Sequence, residues 1–474
     1  MTSLTRLNEI FAAQKKAAIG SLPPSIDVRK QRLTLLEQML LSRRDVFRAA
    51  IAADFGAHDP RLVDLMETGP VIERVRHVRD NFENWLQPET VDLGPAHGAS
   101  RGEIHYLPKG VMGNIAPWNF PIESSLVMCA DMLAAGNTVI IKPSEFSPAT
   151  AQAVEEAVTA TFAPDVMCVI QGDLNFARAF AEMPWDHLTF TGSPRVGRLV
   201  AQAAAKNLVP VTLELGGKNP AVFAPDGITP DLIKLFLSFR VLKAGQICTS
   251  PDHVMVPRGQ MADWVETAKQ VWTQAYPSYV GHPDATGIIN QTHYDRLIGY
   301  IEEAASRGAE VISLNGEMPD QSLRQIPPTL IIDPAADMAC MTDEIFGPVI
   351  PVVPYDTIEQ AMARINAGPS PLASYLATHD DSLAKRFVQT VRSGGAAINN
   401  FGLQGGHVSL PFGGFGQSGH GCHSSKQGVL GYTHTKSVFF GAEDSIVHQV
   451  LAPPLSDLTG YAADGMFADH SEEA

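Results

Sequence analysis

The stretch Leu188-Thr189-Phe190-Thr191-Gly192-Ser193-Pro194-Arg195-Val196-Gly197 decides the fold class. It has the pattern of an apolar strand, a glycine turn and the start of an alanine-rich helix. Ser193 suits the N-cap of that helix, and Pro194 suits its first turn. Backbone N–H groups at such a helix start can accept a pyrophosphate. The spacing from Gly192 to Gly197 is G-x-x-x-x-G, which departs from the usual dinucleotide fingerprint, so the stretch alone is equally compatible with a plain strand-to-helix turn.

Strand–helix alternation continues on both sides of this stretch. The predicted strands of the first region are Val111–Ala116, Thr138–Lys142, Val166–Gln171, His187–Thr191 and Val211–Leu215. Those of the second region are Ala221–Ala224, His253–Pro257, Val349–Val353, Ser374–Thr378 and Gly395–Asn399. Short apolar strands separated by helices are typical of parallel βαβ units. The pattern predicts an α/β protein with two doubly wound, Rossmann-like domains and a cleft between them.

The first ninety residues are predicted to be helical. Ser25 or Asp27 can cap a long helix that ends near Gly56, and Pro70 breaks or kinks the next helical stretch.

Composition limits the classes of function. The net charge of −16 over 474 residues opposes non-specific binding to nucleic acid or to anionic membranes. Five cysteines at irregular spacing do not form a disulfide framework and suit a reducing compartment. Met1–Gly20 lacks the apolar core of a signal peptide, and no apolar run approaches the roughly 18 residues of a membrane span. We therefore expect a cytoplasmic protein without nucleic-acid or membrane partners.

Three segments carry the residue types needed for chemistry through a cysteine. Cys248 lies in the run Gly245–Ser250, Glu214 begins the run Glu214–Pro220, and Asn119 lies in Pro117-Trp118-Asn119-Phe120-Pro121. A nucleophile, a carboxylate and an amide donor are the minimum set for reaction through a tetrahedral thio-adduct.

The other candidate groups receive plainer interpretations. His253 is close to Cys248 in sequence but falls within a predicted strand. The remaining thiols sit mostly in apolar runs, which indicates packing. His420-Gly421-Cys422-His423 lacks a second ligand pair at zinc-site spacing, so no metal site is predicted.

Together these segments resemble the NAD(P)-dependent aldehyde dehydrogenase superfamily, from about Leu4 to Phe440. The runs Asp343–Tyr355, Pro371–Asp380 and Leu410–Gly419 are most similar to its class 3-like branch and, within it, to bacterial coniferyl aldehyde dehydrogenases. This family uses the five-residue glycine step noted above.

The resemblance implies oxidation of an aromatic or hydrophobic aldehyde, similar to coniferaldehyde, to its carboxylic acid. Cys248 would attack the carbonyl carbon, and the Asn119 amide, with the Cys248 N–H, would stabilise the oxyanion. Loss of hydride would give a thioester, and water activated by Glu214 would hydrolyse it. Glu344 is a second candidate for proton transfer.

The resemblance also implies NAD as the cofactor, with NADP possible. Lys142 and Glu145 would bind the adenosine ribose, and Glu344 the nicotinamide ribose. A carboxylate near the ribose 2′-hydroxyl favours NAD, because a 2′-phosphate would face like charge. The predicted cofactor-binding residues are Trp118, Lys142, Glu145, Gly192, Ser193, Gly197, Leu215, Glu344 and Phe346.

The domain division that the resemblance implies has four parts. Residues 1–90 and 111–216 form the cofactor domain, 217–401 the catalytic domain, 91–110 and 402–440 an oligomerisation arm, and 441–474 a tail. In the arm, the extended stretch Gly102–Leu107 and the glycine-rich Gly402–Gly419 are implied to pair into a small sheet that joins a homodimer.

Four alternatives stay open at this point: transfer of the thioester to coenzyme A, broad oxidation of aliphatic aldehydes, a cofactor-independent thiol esterase, and a non-catalytic protein on this fold. Glu214 argues against coenzyme A transfer. The nucleotide segments would have no purpose in an esterase, and the joint presence of Cys248, Glu214 and Asn119 argues against a non-catalytic protein.

Overall fold

Five helices precede the first strand in the computed structural model, which describes residues 2–20 and 22–467. They are α1 (Ser3–Gly20), α2 (Ile26–Ser42), α3 (Arg44–Phe55), α4 (Pro60–Val63) and α5 (Gly69–Trp85). The predicted long helix is in fact α2 and α3, because Arg43 leaves helical geometry at φ −107° and ψ 12°. Ser25 caps α2 through its side chain, as predicted. Pro70 does not break the helical stretch from Pro60 to Trp85, but the stretch is distorted directly before it. The turn before α5, Asp64–Thr68, is π-helical.

Two short strands, β1 (Glu89–Val91) and β2 (Arg101–Pro108), lead into the first α/β region. Its elements are β3 (Val111–Ile115), α6 (Glu123–Ala134), β4 (Thr138–Lys142), α7 (Pro148–Thr161), β5 (Met167–Val169), α8 (Leu174–Ala181), β6 (His187–Gly192), α9 (Pro194–Ala205) and β7 (Val211–Leu215). These strands are parallel, in the order β7-β6-β3-β4-β5.

Alternation along β4 shows why this sheet has helices on both faces. Val139 and Ile141 pack into a core built with α2, α3, α5, α6 and α7. Ile140, between them, points into the opposite core with Leu7 of α1 and Phe180 of α8. A strand that is apolar on both faces must be covered on both faces, which gives the doubly wound arrangement.

The second region forms a seven-stranded sheet. Its elements are β8 (Pro220–Phe223), α10 (Pro230–Val241), β9 (His253–Pro257), α11 (Met261–Ala275), α12 (Gln291–Ser306), β10 (Glu310–Ser313), β11 (Thr329–Ile332), α13 (Ala339–Thr342), β12 (Val349–Tyr355), α14 (Ile358–Ala367), β13 (Ala373–Ala377), α15 (Asp381–Thr390) and β14 (Gly395–Ile398). The order is β10-β11-β12-β9-β8-β13-β14, with only β10 antiparallel. The predicted α/β class with two Rossmann-like domains is confirmed.

The last elements correct one predicted pairing. They are β15 (Gly419–His420), α16 (Ser425–Gly431), β16 (Thr433–Phe440), α17 (Ile446–Val450) and α18 (Asp457–Met466). Strand β2 pairs with β1 and, over all eight residues, with β16. The prediction that Gly402–Gly419 pairs with Gly102–Leu107 was therefore wrong.

Gly419 joins the first sheet instead, opposite Glu214 of β7. Its φ of +128° and its close approach to β7 require glycine, because a Cβ there would lie 1.8 Å from the Leu213 carbonyl oxygen. No helix in residues 2–20 or 22–467 is long and apolar enough to cross a membrane.

Candidate active site

Cys248 lies in the loop before β9, and Asn219, which precedes β8, holds that loop. The Asn219 amide donates to the carbonyl oxygens of Cys248 (2.7 Å) and Ser250 (3.0 Å), and its own oxygen accepts the Ala373 N–H at 2.9 Å. The Tyr375 hydroxyl donates to the carbonyl oxygen of Thr249, which lies between Cys248 and Ser250. Sequence reasoning missed Asn219, although it stands in the same run as Glu214.

The surroundings of Cys248 favour the neutral thiol. Burial raises the pKa of Cys248 to about 12, and the carboxylates of Glu344, Glu123 and Glu214 add to the rise. Only the Thr249 N–H, which donates to the sulfur, acts in the opposite direction. His253 lies in β9, and burial lowers its pKa to about 3, so it supplies no cation.

Asn119 is fixed against the same loop. This buried amide donates to the carbonyl oxygen of Gln246 at 3.1 Å, two residues before the thiol. The Gln246 side chain is held in turn, because it donates to the Gly287 carbonyl oxygen (3.1 Å) and accepts the Ile289 N–H (3.0 Å). The Asn119 amide carries a second N–H besides the hydrogen bond to Gln246.

Glu214, in β7, is a buried carboxyl group that lacks hydrogen-bond partners. Its side chain is 4% exposed, and neither oxygen bonds to any group in the part of the chain that the structure describes. Burial raises its pKa well above the ordinary value, and the Glu123 carboxylate adds to the rise. An unsatisfied buried carboxyl group beside a thiol marks a place where a water or substrate atom completes the site.

Glu123 is a carboxyl group that raises the pKa of both Cys248 and Glu214, and sequence reasoning missed it. It stands in the first turn of α6, where Ser124 donates to its Oε2 at 2.9 Å. Burial raises its pKa to about 7. An acidic residue in a first helical turn is ordinarily explained by the helix dipole. The sequence therefore carried no signal that Glu123 lies near Cys248 and Glu214.

Glu344 lies directly against the backbone that follows Glu214. A Cβ at Gly216 would be 2.1 Å from Glu344 Oε1, so glycine lets the carboxylate lie in this position. The Gly217 N–H donates to the carboxylate, yet burial raises the pKa of Glu344 to about 8, with Asp252 contributing. The structure thus brings together the predicted Cys248, Glu214 and Glu344.

Most of the predicted cofactor residues lie at the carboxyl ends of the first sheet's parallel strands, the usual ligand position in open α/β sheets, whereas Glu344 and Phe346 precede β12 of the second sheet. Lys142 ends β4 and is 2% exposed, and its ammonium contacts Glu145 Oε2 at 2.5 Å. Ser193 follows β6 and caps α9 by accepting the Val196 N–H at 3.4 Å. The N–H groups of the α9 start therefore face the same edge as the Lys142–Glu145 pair.

Two further observations fit a dinucleotide here. A Cβ at Gly197 would lie 2.6 Å from the Leu215 side chain, so glycine lets α9 pack close to β7. The hydroxyl of Thr191, next to Gly192, is buried and has no hydrogen-bond partner in the described residues. A bound pyrophosphate would supply acceptors for such groups.

A series of aromatic contacts runs from Phe146, next to Glu145, to Phe346, two residues after Glu344. Trp118 contacts Phe346 at a centroid distance of 5.4 Å and His293 at 5.1 Å, and His293 also contacts Phe146 at 6.4 Å. His293, from α12 of the second region, was not predicted. His293 joins Phe146 to Trp118 in this series.

Three of the remaining cysteines, Cys129, Cys168 and Cys340, are buried and take no part in this arrangement. All five thiols are free, and burial raises the pKa of Cys168 to about 12 and of Cys340 to about 11. In residues 2–20 and 22–467 no group of three or more His, Cys, Asp or Glu side chains could hold a metal ion.

Comparison with known proteins agrees with this geometry. The model of the aldehyde dehydrogenase family matches residues 7–438. A probable coniferyl aldehyde dehydrogenase of Caulobacter vibrioides is 36% identical over 95% of this chain and 94% of its own length. The substrate-bound structure of Staphylococcus aureus AldH superposes with a TM-score of 0.91 at 30% identity, covering 98% of this chain and 99% of that one.

A Mycobacterium tuberculosis aldehyde dehydrogenase complexed with NAD+ superposes with a TM-score of 0.81 at 29% identity, over 90% of this chain and 88% of that one. These findings confirm the predicted family, fold class and enzyme class, and they agree with the predicted cofactor, NAD. The chain belongs to the aldehyde dehydrogenase family and is an oxidoreductase that oxidises aldehydes with NAD.

Proposed function

We propose that this enzyme oxidises an aromatic or hydrophobic aldehyde to the free carboxylic acid, with Cys248 as nucleophile, Asn119 as oxyanion donor and Glu214 as hydrolytic base. One observation carries the hydrolytic outcome: the buried Glu214 carboxyl group has no partner in the described residues and lies among the groups that act on the thiol. A carboxyl group kept free in that place suits activation of water.

The acylation steps use groups already placed around the thiol. The Cys248 thiol passes its proton to the neighbouring Glu344 carboxylate, and its sulfur adds to the carbonyl carbon. The oxyanion that forms accepts the second Asn119 N–H. Losing one such donor typically costs about 10²–10³ in kcat. Bound NAD would supply the hydride acceptor for this carbon, and loss of hydride would leave a thioester on Cys248.

Hydrolysis restores the enzyme. Glu214 takes a proton from water, the water oxygen adds to the thioester carbon, and the C–S bond breaks to release the acid and the thiolate. Because the pKa of Glu214 is raised, its ionised form gains population as pH rises, so hydrolysis accelerates with pH. Glu344, with a pKa near 8, is the second candidate for this proton transfer.

The residues proposed to hold NAD are Trp118, Lys142, Glu145, Gly192, Ser193, Gly197, Leu215, Glu344 and Phe346. Glu145 supports NAD over NADP, because a 2′-phosphate beside its carboxylate would meet like charge.

Replacement of Glu214 tests the base. In Glu214→Gln we expect one equivalent of NADH per Cys248, followed by turnover reduced about 10²–10⁴-fold, with an acyl mass on the Cys248 peptide. A wild-type steady-state rate in this variant would remove Glu214 from hydrolysis and leave Glu344.

The relatives' names support the substrate class, since three of them are called coniferyl aldehyde dehydrogenases, two with the qualifier probable. NADH absorbance with coniferaldehyde, benzaldehydes and straight-chain aldehydes, run with NAD and with NADP, tests this. Preference for coniferaldehyde supports the aromatic assignment. Equal rates on aliphatic aldehydes would replace it with broad oxidation.

Transfer to coenzyme A is the second candidate. Mass spectrometry of the product distinguishes the two functions: the hydrolytic enzyme gives the acid with or without added coenzyme A. An acyl-coenzyme A product formed at a higher rate would reverse the assignment.

We also propose a cytoplasmic homodimer. Five free thiols support a reducing compartment. In the part of the chain that the structure describes, no strand pairs with the second edge of β16, and Phe439 on that strand is 50% exposed. Such an edge suits pairing with a second copy. We also propose the predicted division into a cofactor domain (1–90 and 111–216), a catalytic domain (217–401) and a tail (441–474), with the arm centred on β1, β2 and β16.

A further inference from the structure

A buried ion pair lies beneath the active site. The Lys243 ammonium contacts Glu67 Oε1 at 2.5 Å, and both side chains are fully buried. The ammonium also lies over the ring of Phe120, 4.2 Å from its centroid. Phe120 follows Asn119 directly, and Lys243 precedes Cys248 by five residues. The pair therefore connects the two segments that carry the oxyanion donor and the nucleophile.

The second oxygen of Glu67 makes this connection bidentate. Glu67 Oε2 accepts the backbone N–H of Ile122 at 3.1 Å and that of Glu123 at 3.0 Å, at the start of α6. A carboxylate at a helix start satisfies N–H groups that have no partner within the helix. One side chain thus anchors both the α6 start and Lys243.

Gln246 links Lys243 to Asn119 by hydrogen bonds. The Lys243 carbonyl oxygen accepts both the Gln246 backbone N–H and the Gln246 side-chain amide, each at 3.1 Å. The Gln246 carbonyl oxygen accepts the Asn119 amide at 3.1 Å. A continuous path of bonds therefore runs from Glu67 through Lys243 and Gln246 to Asn119, and through the α6 start back to Glu67.

Both ends of the pair come from unusual backbone. Lys243 and Ala244 have φ of +52° and +53°, in the left-handed region that non-glycine residues rarely occupy. Glu67 is presented by the π-helical turn Asp64–Thr68, a distortion often found at functional sites. Such conformations persist only where the surroundings hold them.

We propose that Glu67 and Lys243 are positioning residues that set the Asn119 amide against the Cys248 loop. The inference rests on the proposed roles of Asn119 and Cys248. A buried ion pair is weak evidence for stability, since replacing both partners by apolar residues of similar volume is often neutral. The role of this pair is therefore sought in kcat and not in the unfolding midpoint.

The double variant Glu67→Met/Lys243→Met separates these two effects, because it removes both buried charges together. We expect the denaturation midpoint to fall less than in the single variant Lys243→Met, which leaves a buried carboxylate unpaired. What the double variant loses is the acceptor of the two α6 N–H groups. With the aldehyde that the wild type oxidises fastest, we expect kcat to fall about 10- to 100-fold. The KM for aldehyde and the Kd of NAD, measured by tryptophan fluorescence, should stay within about threefold. Glu182→Gln/Lys206→Gln, at an exposed ion pair, is the matched control.

Hydrogen exchange gives a readout that does not depend on turnover. The Ile122 and Glu123 amides lose their acceptor in the double variant and should exchange at least tenfold faster, with the core strands unchanged. Wild-type kcat in the double variant, or unchanged exchange at these two amides, would overturn the positioning role. If the wild type oxidised no aldehyde, the proposed function would fail. Hydrogen exchange at Ile122 and Glu123 alone would then show whether the Glu67–Lys243 pair holds the start of α6.

Discussion

Cys248 is surrounded by carboxyl groups and has no cationic neighbour among the groups that set its pKa, and this decides when the thiol reacts. With a pKa near 12, its thiolate fraction grows by up to about tenfold for each pH unit between 7 and 9, and by less where Glu344 ionises, because that carboxylate raises the pKa of the thiol. We expect the rate of alkylation by iodoacetamide to follow that slope, measured by mass spectrometry of the Cys248 peptide. A plateau near pH 8.5, as for an ordinary thiol, would contradict this account.

Replacement of Glu123 tests whether neighbouring carboxylates raise the pKa of the Cys248 thiol. Its pKa near 7 means that it is mostly ionised at pH 8 and mostly neutral at pH 6. Glu123→Gln should therefore speed alkylation at pH 8 by about three- to tenfold, a shift of half to one pKa unit, and change it little at pH 6. Glu156→Gln, at an exposed position on α7, is the control.

Asn219 is the residue on which the shape of the Cys248 loop depends. Asn219→Ala removes the donor to two carbonyl oxygens and the acceptor of a third backbone group. We expect the free energy of unfolding to fall by about 2–3 kcal/mol and kcat to fall with it, measured by urea denaturation and NADH formation. In Asn207→Ala, where an exposed amide meets one carbonyl, the stability change should stay below about 1 kcal/mol.

At the scale of elements, regular strands were predictable and connections were not. Thr138–Lys142, Val211–Leu215 and His253–Pro257 have the predicted bounds, because each is a short apolar run flanked by turn residues. The strands β10 and β11 were not predicted.

Long-range partners had no local signal. The pairing of β2 with β16 joins residues more than three hundred positions apart, and Glu67 and Lys243 are separated by 176 positions. The same limit applies to the site. Cys248, Glu214 and Asn119 stand in recognisable runs, whereas Glu123 and His293 become functional candidates only through folding.

Two glycines in different elements should respond to alanine in opposite ways. Gly245, three residues before the nucleophile, has a φ of +71°, and a Cβ there would lie 2.6 Å from the Gly347 carbonyl oxygen. Gly245→Ala should therefore lower both stability and kcat. Gly299 lies inside α12, and a Cβ there meets no atom within 4 Å. Gly299→Ala should raise the free energy of unfolding by up to about 1 kcal/mol and leave kcat unchanged.

Differential scanning calorimetry and NADH formation check both variants. A stable, fully active Gly245→Ala enzyme would show that the loop before Cys248 tolerates another backbone path. Destabilisation by Gly299→Ala would show that α12 is packed more tightly at this position than the structure indicates.

At the scale of the whole molecule, the proposed active site needs both sheets. The cofactor residues stand at the carboxyl ends of β4, β6 and β7, and Cys248 and Glu344 precede β9 and β12 of the other sheet. Neither sheet alone holds the nucleophile and the proposed hydrolytic base together. None of the residues assigned to the site stands in β1, β2 or β16, so assembly through the arm can be tested separately from the chemistry.

The arm combines an open strand edge with exposed aromatic surface, in a chain whose net charge of −16 opposes non-specific association. We expect a species of twice the 51.0 kDa chain mass in sedimentation velocity. Phe439→Asp places a charge on β16 and should shift this species to the monomer, whereas Met318→Asp, on a surface remote from the arm in sequence and 79% exposed, should not. If Phe439→Asp remains a dimer with the wild-type sedimentation coefficient, the subunits associate through a surface other than β16.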